Sequence, residues 1–314
     1  MLQQTQVVTV IPYYERWLKN FPNLTSLARA PLSKVLKHWA GLGYYRRARM
    51  LHKAAQWIQS ELNGEVPLTA DALLKLPGIG RYTAGAIASI AFGQKTPVLD
   101  GNVIRILTRI FGIPQSIDLQ TTVEKLWKVA TSILPDKTPG DFNQALMELG
   151  ATVCFPSAPQ CPKCPAKTFC AAHQKSKETF YPVRSRIEKY EKIHMTALIL
   201  LNERREVWVE KQPEHGRWGG LWTFPFWRTK EEMLRHAKSH GAQPIHFMTL
   251  QHGFTKYRIR LEVFEAVIRR KQHRQTHHKR WIPLIGLREM AFPSPHRKIV
   301  ENLLQSSLFP KREL

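Results

Sequence analysis

Four cysteines stand together in CFPSAPQCPKCPAKTFC, residues 154–170, with six, two and five residues between Cys154, Cys161, Cys164 and Cys170. Thiols this close are reactive, and once ionised they repel one another unless a metal gathers them. Zinc accepts four thiolates, usually as two well-separated close pairs, whereas an iron–sulfur cube needs one loop wrapped around a larger object. The spacing leaves both open, beside the plainer alternative of four unliganded thiols. A second stretch, LPGIGRYTAGAIASIAFG at 76–93, turns through Pro77, Gly78, Ile79 and Gly80 between two apolar-periodic segments. A helix starting there presents amide N–H groups at the positive end of its dipole, a nest that binds a phosphate without reading sequence. An ordinary helix–helix turn has the same composition. Further on, Asp100 in VLDGNV is placed either as a carboxylate aimed into a cleft or as a turn or cap residue.

These residues have to be carried by helices. From Thr5 to about His173 the apolar period is helical, with short Gly- and Pro-marked connections such as NFPN, GLGYY, LPGIG and FGIP. The first helix presents Val7, Val10, Ile11, Tyr14, Trp17, Leu18 and Phe21, with Thr5 expected as its cap and Pro12 expected to kink it or shift its boundary. The charged segment TFYPVRSRIEKYEKI, 179–193, suits a connector crossing a phosphate surface. Beyond it the period changes to two. TALILL, EVWVEK and KYRIRLEVFEAVIR are predicted strands, the last with Tyr257, Ile259, Leu261 and Val263 alternating against Arg258, Arg260 and Glu262. Helices are predicted near Lys230 to His240 and Ser294 to Gln305, and the basic run RRKQHRQTHHKR, 269–280, as a solvated loop.

Composition bounds the partners. The 314 residues hold 47 Lys and Arg against 24 Asp and Glu, a net charge of +23 and a pI near 10.1, which favours a polyanion, nucleic acid foremost. No apolar run approaches the ~20 residues that span a bilayer, and Gln3, Gln4 and Gln6 spoil any signal peptide. A cytoplasmic protein, nucleoid-associated through DNA and without a membrane partner, is the expectation. Clustering of all four cysteines argues against a secreted disulfide framework.

Taken in order, MLQQTQV, GLGYYRRAR, LPGIGRYTAGAI, LDGNV and the cysteine spacing resemble the helix-hairpin-helix base-excision DNA glycosylases that carry an iron–sulfur cluster. The resemblance is closer still to the adenine glycosylases of the MutY type, and GRWGGLWTFP resembles the start of that family's C-terminal domain. The resemblance covers essentially the whole chain. It implies a two-domain α + (α/β) fold: an all-helical helix-hairpin-helix domain over 1–173, a connector over 174–193 and a Nudix-like mixed α/β domain over 194–314. It implies a [4Fe–4S] cluster on Cys154, Cys161, Cys164 and Cys170, with a monovalent cation at the hairpin as a further expected cofactor. The implied activity is monofunctional hydrolysis of the N-glycosidic bond of adenine opposite 8-oxoguanine or guanine in double-stranded DNA, by a monomer.

Roles carry over residue by residue. Asp100 becomes the carboxylate that stabilises the cationic sugar or forms a transient covalent intermediate, and Tyr82 supports the acid by hydrogen bonding. In the endonuclease III branch a lysine at the Tyr82 position forms a Schiff base, which a phenol cannot do. That disfavours the rival reading of a pyrimidine glycosylase. Gln4 and Tyr44 match the wedge positions that fill the vacated stack. Thr5, Arg46, Arg47, Pro77, Gly78, Ile79, Gly80 and Arg81 complete the expected DNA contacts, with Arg49 on a nearby phosphate. Phe254, Thr255 and Lys256 join Gln4 and Tyr44 as 8-oxoguanine readers, and they stand where the family carries Phe-Ser-His. The segment EEMLRHAKSHG offers too few carboxylates for Nudix pyrophosphatase chemistry. The family's general acid is a glutamate two residues before the methionine aligned with Met1. The chain is therefore expected to be an N-terminally truncated form, or to begin at an internal methionine, and to lack that acid and a helix that packs beside the cluster domain. A chain that recognises the mispair but releases no base is the second reading.

Overall fold

Before Glu191 the described residues form helices and turns, and the strands begin there. The computed structural model describes residues 1–3, 5–185, 190–254, 257–268 and 275–305. Gln4, Thr255 and Lys256, three of the expected recognition residues, lie outside the described residues, as do positions 269–274 of the basic run. The chain divides into two compact units, Met1–His52 with Glu188–Leu314, and Lys53–Ile187.

The first unit opens with α1 (Val7–Asn20), α2 (Leu24–Arg29), α3 (Leu32–Trp39) and the start of α4 (Arg46–Glu61), a helix that runs on into the second unit. The expected cap of α1 is corrected: Gln6, in extended conformation, is the N-cap, and no side chain bonds the first turn. Thr5 lies one residue too early, and its hydroxyl donates to the Gln3 carbonyl while accepting from Arg47 Nη2 at 3.2 Å. Pro12 lies inside α1, which continues to Asn20 although the ring removes the amide that would bond Val8. The apolar set of α1 is divided: Val10, Trp17 and Phe21 are buried, whereas Val7, Ile11, Tyr14 and Leu18 are exposed. Trp17 packs on Phe21 and edge-on to Trp39, with ring centroids 4.7 and 5.6 Å apart.

The second unit holds α5 (Ala70–Leu73), α6 (Arg81–Phe92), α7 (Gly101–Ile110), α8 (Gln120–Ser132), α9 (Pro139–Thr152) and α10 (Ala171–Gln174). Its core gathers Val98, Leu99, Val103, Leu107, Ile113, Leu126, Trp127 and Ala130. Small residues let the helices approach: a Cβ on Gly140 of α9 would meet the backbone of Ser89 and Ile90 in α6. Asn143, 1% exposed, ties the same interface by donating to Ser89 Oγ and the Thr96 carbonyl, both at 2.9 Å. That fixes the loop leading to Asp100.

The sheet of the first unit is built from β1 (Glu191–Asn202), β2 (Glu206–Lys211), β3 (Trp222–Thr223), β4 (Phe226–Trp227), β5 (Ile245–Phe254), β6 (Tyr257–Ile268) and β7 (Lys279–Pro283), with α11 (Lys230–Ser239) and α12 (Ser294–Gln305). Lys279 and Arg280, the end of the basic run, therefore open a strand rather than close a loop. The strand order is β3-β2-β1-β6-β5, with β4 on β1 and β7 on β2. β1 and β6 run parallel from Glu191 opposite Tyr257 to Asn202 opposite Ile268, and the other pairings are antiparallel. Residues Met195 to Leu201 of β1 are all buried, as a strand covered on both faces requires. Along β6, Ile259, Leu261 and Val263 are buried and Arg258 and Arg260 exposed, the expected alternation. Thr229 and Glu232 form a capping box on α11, which occupies one of the few carboxylates of that helix.

Candidate active site and cysteine loop

The hairpin forms where the Gly-Pro signal places it. Gly78 takes φ 79°, a left-handed turn that a side chain resists, and Gly80 is the N-cap of α6. No side chain caps that helix start, and the Ala84 amide bonds back onto the Gly80 carbonyl at 2.9 Å. Gly78, Gly80 and Arg81 are exposed, and Pro77 and Ile79 half-buried. Arg81 lies 4.0 Å over the Trp127 ring and 3.5 Å from Glu124.

Asp100 serves as the N-cap of α7, its Oδ1 accepting from the Val103 amide at 2.8 Å. The cap role and the cleft role are compatible, since one oxygen fixes the rotamer and the residue as a whole stays half-buried. Tyr82, from the first turn of α6, donates to Met147 Sδ at 3.3 Å. Burial, and after it the Asp100 charge, hold its phenol above the ordinary tyrosine range. It is therefore a neutral hydrogen-bonding group at physiological pH.

A chain of hydrogen bonds runs from this carboxylate to the cysteine loop. Asn102 Nδ2 donates to Asp100 Oδ2 at 3.3 Å, and Arg105 Nη2 donates to Asn102 Oδ1 and to the Gly150 carbonyl, each at 2.8 Å. Arg105 Nε reaches the Cys154 carbonyl at 2.7 Å. One helical turn on, Arg109 is 2% exposed and donates to Cys154 Sγ at 3.2 Å, and to the carbonyls of Tyr181, Phe155 and Pro156. A buried guanidinium on a sulfur suits a thiolate better than a thiol. All four cysteines are half-buried and none is in a disulfide. Cys161, His173 and Glu178 offer ligand atoms within 4.8 Å of one another, a group able to hold a metal ion. Burial first and the Glu178 charge second push the Cys161 thiol up to about 11. Asn102, Arg105, Arg109 and Met147 escaped the sequence reading. The available signal was two arginines four apart on an apolar helix with no acid within a turn of either.

The remaining expected residues belong to the other unit. Tyr44 is exposed and left-handed at φ 46°. Arg46 is exposed, whereas Arg47 donates to the Met1 and Gln3 carbonyls and to Thr5, and packs over the rings of Trp39 and Tyr44. The Arg49 guanidinium, expected on a phosphate, donates instead to the carbonyls of Glu214 and Gly219. Phe254 ends β5.

Residues 1–131 match the family model of HhH-GPD superfamily base excision DNA repair proteins, and residues 196–302 match that of the NUDIX domain. Fold and site thus define a base-excision DNA glycosylase with a Nudix-like second domain. Over 309 residues the chain is 36% identical to the adenine DNA glycosylase of Buchnera aphidicola subsp. Acyrthosiphon pisum, covering 96% of this chain and 87% of that one. It is 52% identical over 176 residues to the adenine DNA glycosylase of Homo sapiens, covering 56% of this chain and 32% of the human one. A solved thermostable thymine-DNA glycosylase aligns at TM-score 0.50 and 31% identity over 55% of this chain and 80% of that one. The chain belongs to the adenine DNA glycosylase family, DNA-binding enzymes that excise adenine in repair. Among the described residues no helix is long and apolar enough to cross a membrane.

Proposed function

We propose that this glycosylase hydrolyses the N-glycosidic bond of adenine opposite 8-oxoguanine or guanine in double-stranded DNA, acting as a monomer in the cytoplasm and without cutting the strand. The observation that carries the reading is Asp100, capped onto α7 by one oxygen and held by Asn102 at the other, with Tyr82 close enough to feel its charge. As the adenine leaves, positive charge grows on the deoxyribose, and a fixed carboxylate stabilises it without reorganising. Tyr82 keeps its proton and orients the departing base or its acid. It cannot form a Schiff base, hence the absence of strand cleavage. The hairpin at Pro77–Arg81 grips a phosphate through backbone amides and leaves sequence unread. A monovalent cation at this turn belongs to the same reading.

Flipping the adenine costs a few kcal/mol, which Gln4 and Tyr44 offset in part by filling the stack. Thr5, Arg46 and Arg47 flank that wedge, while Phe254, Thr255 and Lys256 read the opposite base. The domain division is 1–173, 174–193 and 194–314. Cys154, Cys161, Cys164 and Cys170 hold a [4Fe–4S] cluster, supported by the buried Arg109 on Cys154 Sγ. When bound, the cluster supplies structural order to the 154–170 loop. Arg105 then transmits the position of Cys154 to Asn102 and Asp100.

The test is single-turnover adenine release from a duplex carrying A opposite 8-oxoguanine, measured on residues 1–314 and on a chain extended before Met1 by Ser-Glu-Val, which adds the glutamate that the family resemblance implies. Release supports the enzyme reading. A gel shift without release from either chain replaces it with a mispair-binding module.

A further inference from the structure

The glycine-rich GRWGGLW turn has a use that the catalytic reading leaves unassigned. Arg49, near the start of α4, sends Nη2 to the Gly219 carbonyl and Nη1 to the Glu214 carbonyl at 3.4 Å. The turn is shaped around that fork. Gly220 is left-handed at φ 65°, and a Cβ on it would stand 2.7 Å from Arg49 Nη2. A Cβ on Gly219 would strike the Glu214 carbonyl. Two more bonds leave the same α3–α4 segment for the C-terminal part of its unit. Tyr45 donates its hydroxyl to the Phe292 carbonyl at 2.8 Å, and Lys37 pairs with Glu289. Burial pushes the Tyr45 phenol up to about 12, so it remains a donor.

These bonds bracket Tyr44. A tyrosine at φ 46° occupies a region that a non-glycine residue keeps only when its neighbours hold it there. Gly41 and Gly43 on its near side are also left-handed, at φ 107° and 72°, so the stretch of chain presenting the ring is tightly wound. The far side is held by Tyr45 and Arg49.

We propose that Arg49, seconded by Tyr45, is a positioning residue for recognition of the base opposite the adenine: the Nudix-like domain grips the chain beside Tyr44 and sets how that ring meets the opposite base. This rests on the stacking role assigned to Tyr44 above. The fork is specific to arginine, because a lysine ammonium cannot serve two carbonyls in fixed planar geometry.

The experiment uses the full chain with Arg49→Lys, Arg49→Met, Tyr44→Ala and the Arg49→Met/Tyr44→Ala double variant. Fluorescein-labelled duplexes carrying A opposite 8-oxoguanine or A opposite guanine give the affinity ratio by anisotropy, a readout independent of base release. Arg49→Met should lower the preference for 8-oxoguanine by about tenfold, the size of one charge-assisted hydrogen bond, and Arg49→Lys nearly as much. In the Tyr44→Ala background Arg49→Met should change nothing further, since both act through one ring. Amide exchange at 41–49 and at 213–220 should rise in Arg49→Met while the β1–β6 ladder keeps its protection. An unchanged preference, additive losses, or unchanged exchange at 41–49 would overturn the proposal. If Arg49→Met does not fold, Tyr45→Phe, which removes one hydroxyl, must lower the same ratio. If the parent chain itself shows no preference, the 8-oxoguanine reading fails by itself, and the exchange result alone decides whether the grip exists.

Discussion

Replacing Arg105 by methionine tests how the cysteine loop and the Asp100 carboxylate depend on each other. The side chain is 8% exposed, and three well-placed acceptors take its protons: the carbonyls of Cys154 and Gly150 and Asn102 Oδ1. Methionine fills much of the volume and satisfies none of them. A buried acceptor left without a donor costs about 1–3 kcal/mol. Taking the low end for each gives a loss of about 3 kcal/mol, against a total stability of ~5–15 kcal/mol for a typical fold. Urea unfolding of parent and variant measures that loss. The second consequence is local: Asn102 loses the donor that orients its amide, so Asp100 Oδ2 loses a fixed partner. Single-turnover adenine release, run at a temperature where both proteins are folded, should fall by about tenfold or more. Arg105→Lys should recover part of the stability and little of the rate, because one ammonium cannot span three acceptors. A variant with parental stability and parental release would refute the relay.

Gly78→Val forces a β-branched side chain to φ 79° at a cost of roughly 1–2 kcal/mol. It should weaken binding to every duplex alike and reduce the salt slope by about 0.9 for each phosphate released, measured by titration at several ionic strengths. A loss confined to one sequence would contradict a backbone phosphate grip. His296 gives a pH dependence. It is fully buried, accepts from the Phe224 amide through Nδ1, and burial lowers it to about 3. It is therefore neutral when folded, and the unfolded chain binds its proton from pH ~6.5 downward. Stability is intact above pH ~6.5 and falls by about 1.4 kcal/mol per unit as pH drops toward 3. Equilibrium melts of His296→Phe should lack that part of the slope, and an unchanged slope would remove His296 from the account. Cys164→Ala, purified anaerobically, should lose iron, colour and thermal stability together. A colourless parent with stoichiometric zinc would reassign the metal.

The backbone chemistry of the site was legible because it depends on residue types that announce themselves. Glycine and proline mark the 76–80 turn, cysteine spacing marks the loop, and the period-two run of β6 fixes which of its residues are buried. The TALILL run of β1 was readable as a strand but not as one buried on both faces, since parallel pairing with β6 depends on residues far along the chain. Polar groups inside the fold were less legible. Arg49, Arg105 and Arg109 read as solvated cations, and most of their acceptors are main-chain carbonyls of segments distant in sequence. Backbone acceptors carry no letter in a sequence. Thr5 misled for a local reason: it satisfies the cap preference, yet the extended Gln6 starts the helix one residue later and Arg47 takes the hydroxyl. Asp100 took the cap reading with one oxygen, which leaves the cleft reading to the proposal.

The central claim is that the Asp100 carboxylate stabilises the sugar cation as adenine departs. Asp100→Asn keeps the size and leaves an oxygen for the Val103 amide, so it removes the charge together with the one bond from Asn102 Nδ2. On the Ser-Glu-Val-prefixed chain, single-turnover adenine release opposite 8-oxoguanine should fall by about 100-fold or more while duplex affinity is kept. Release at the parental rate from a correctly folded, DNA-bound Asp100→Asn variant would contradict it.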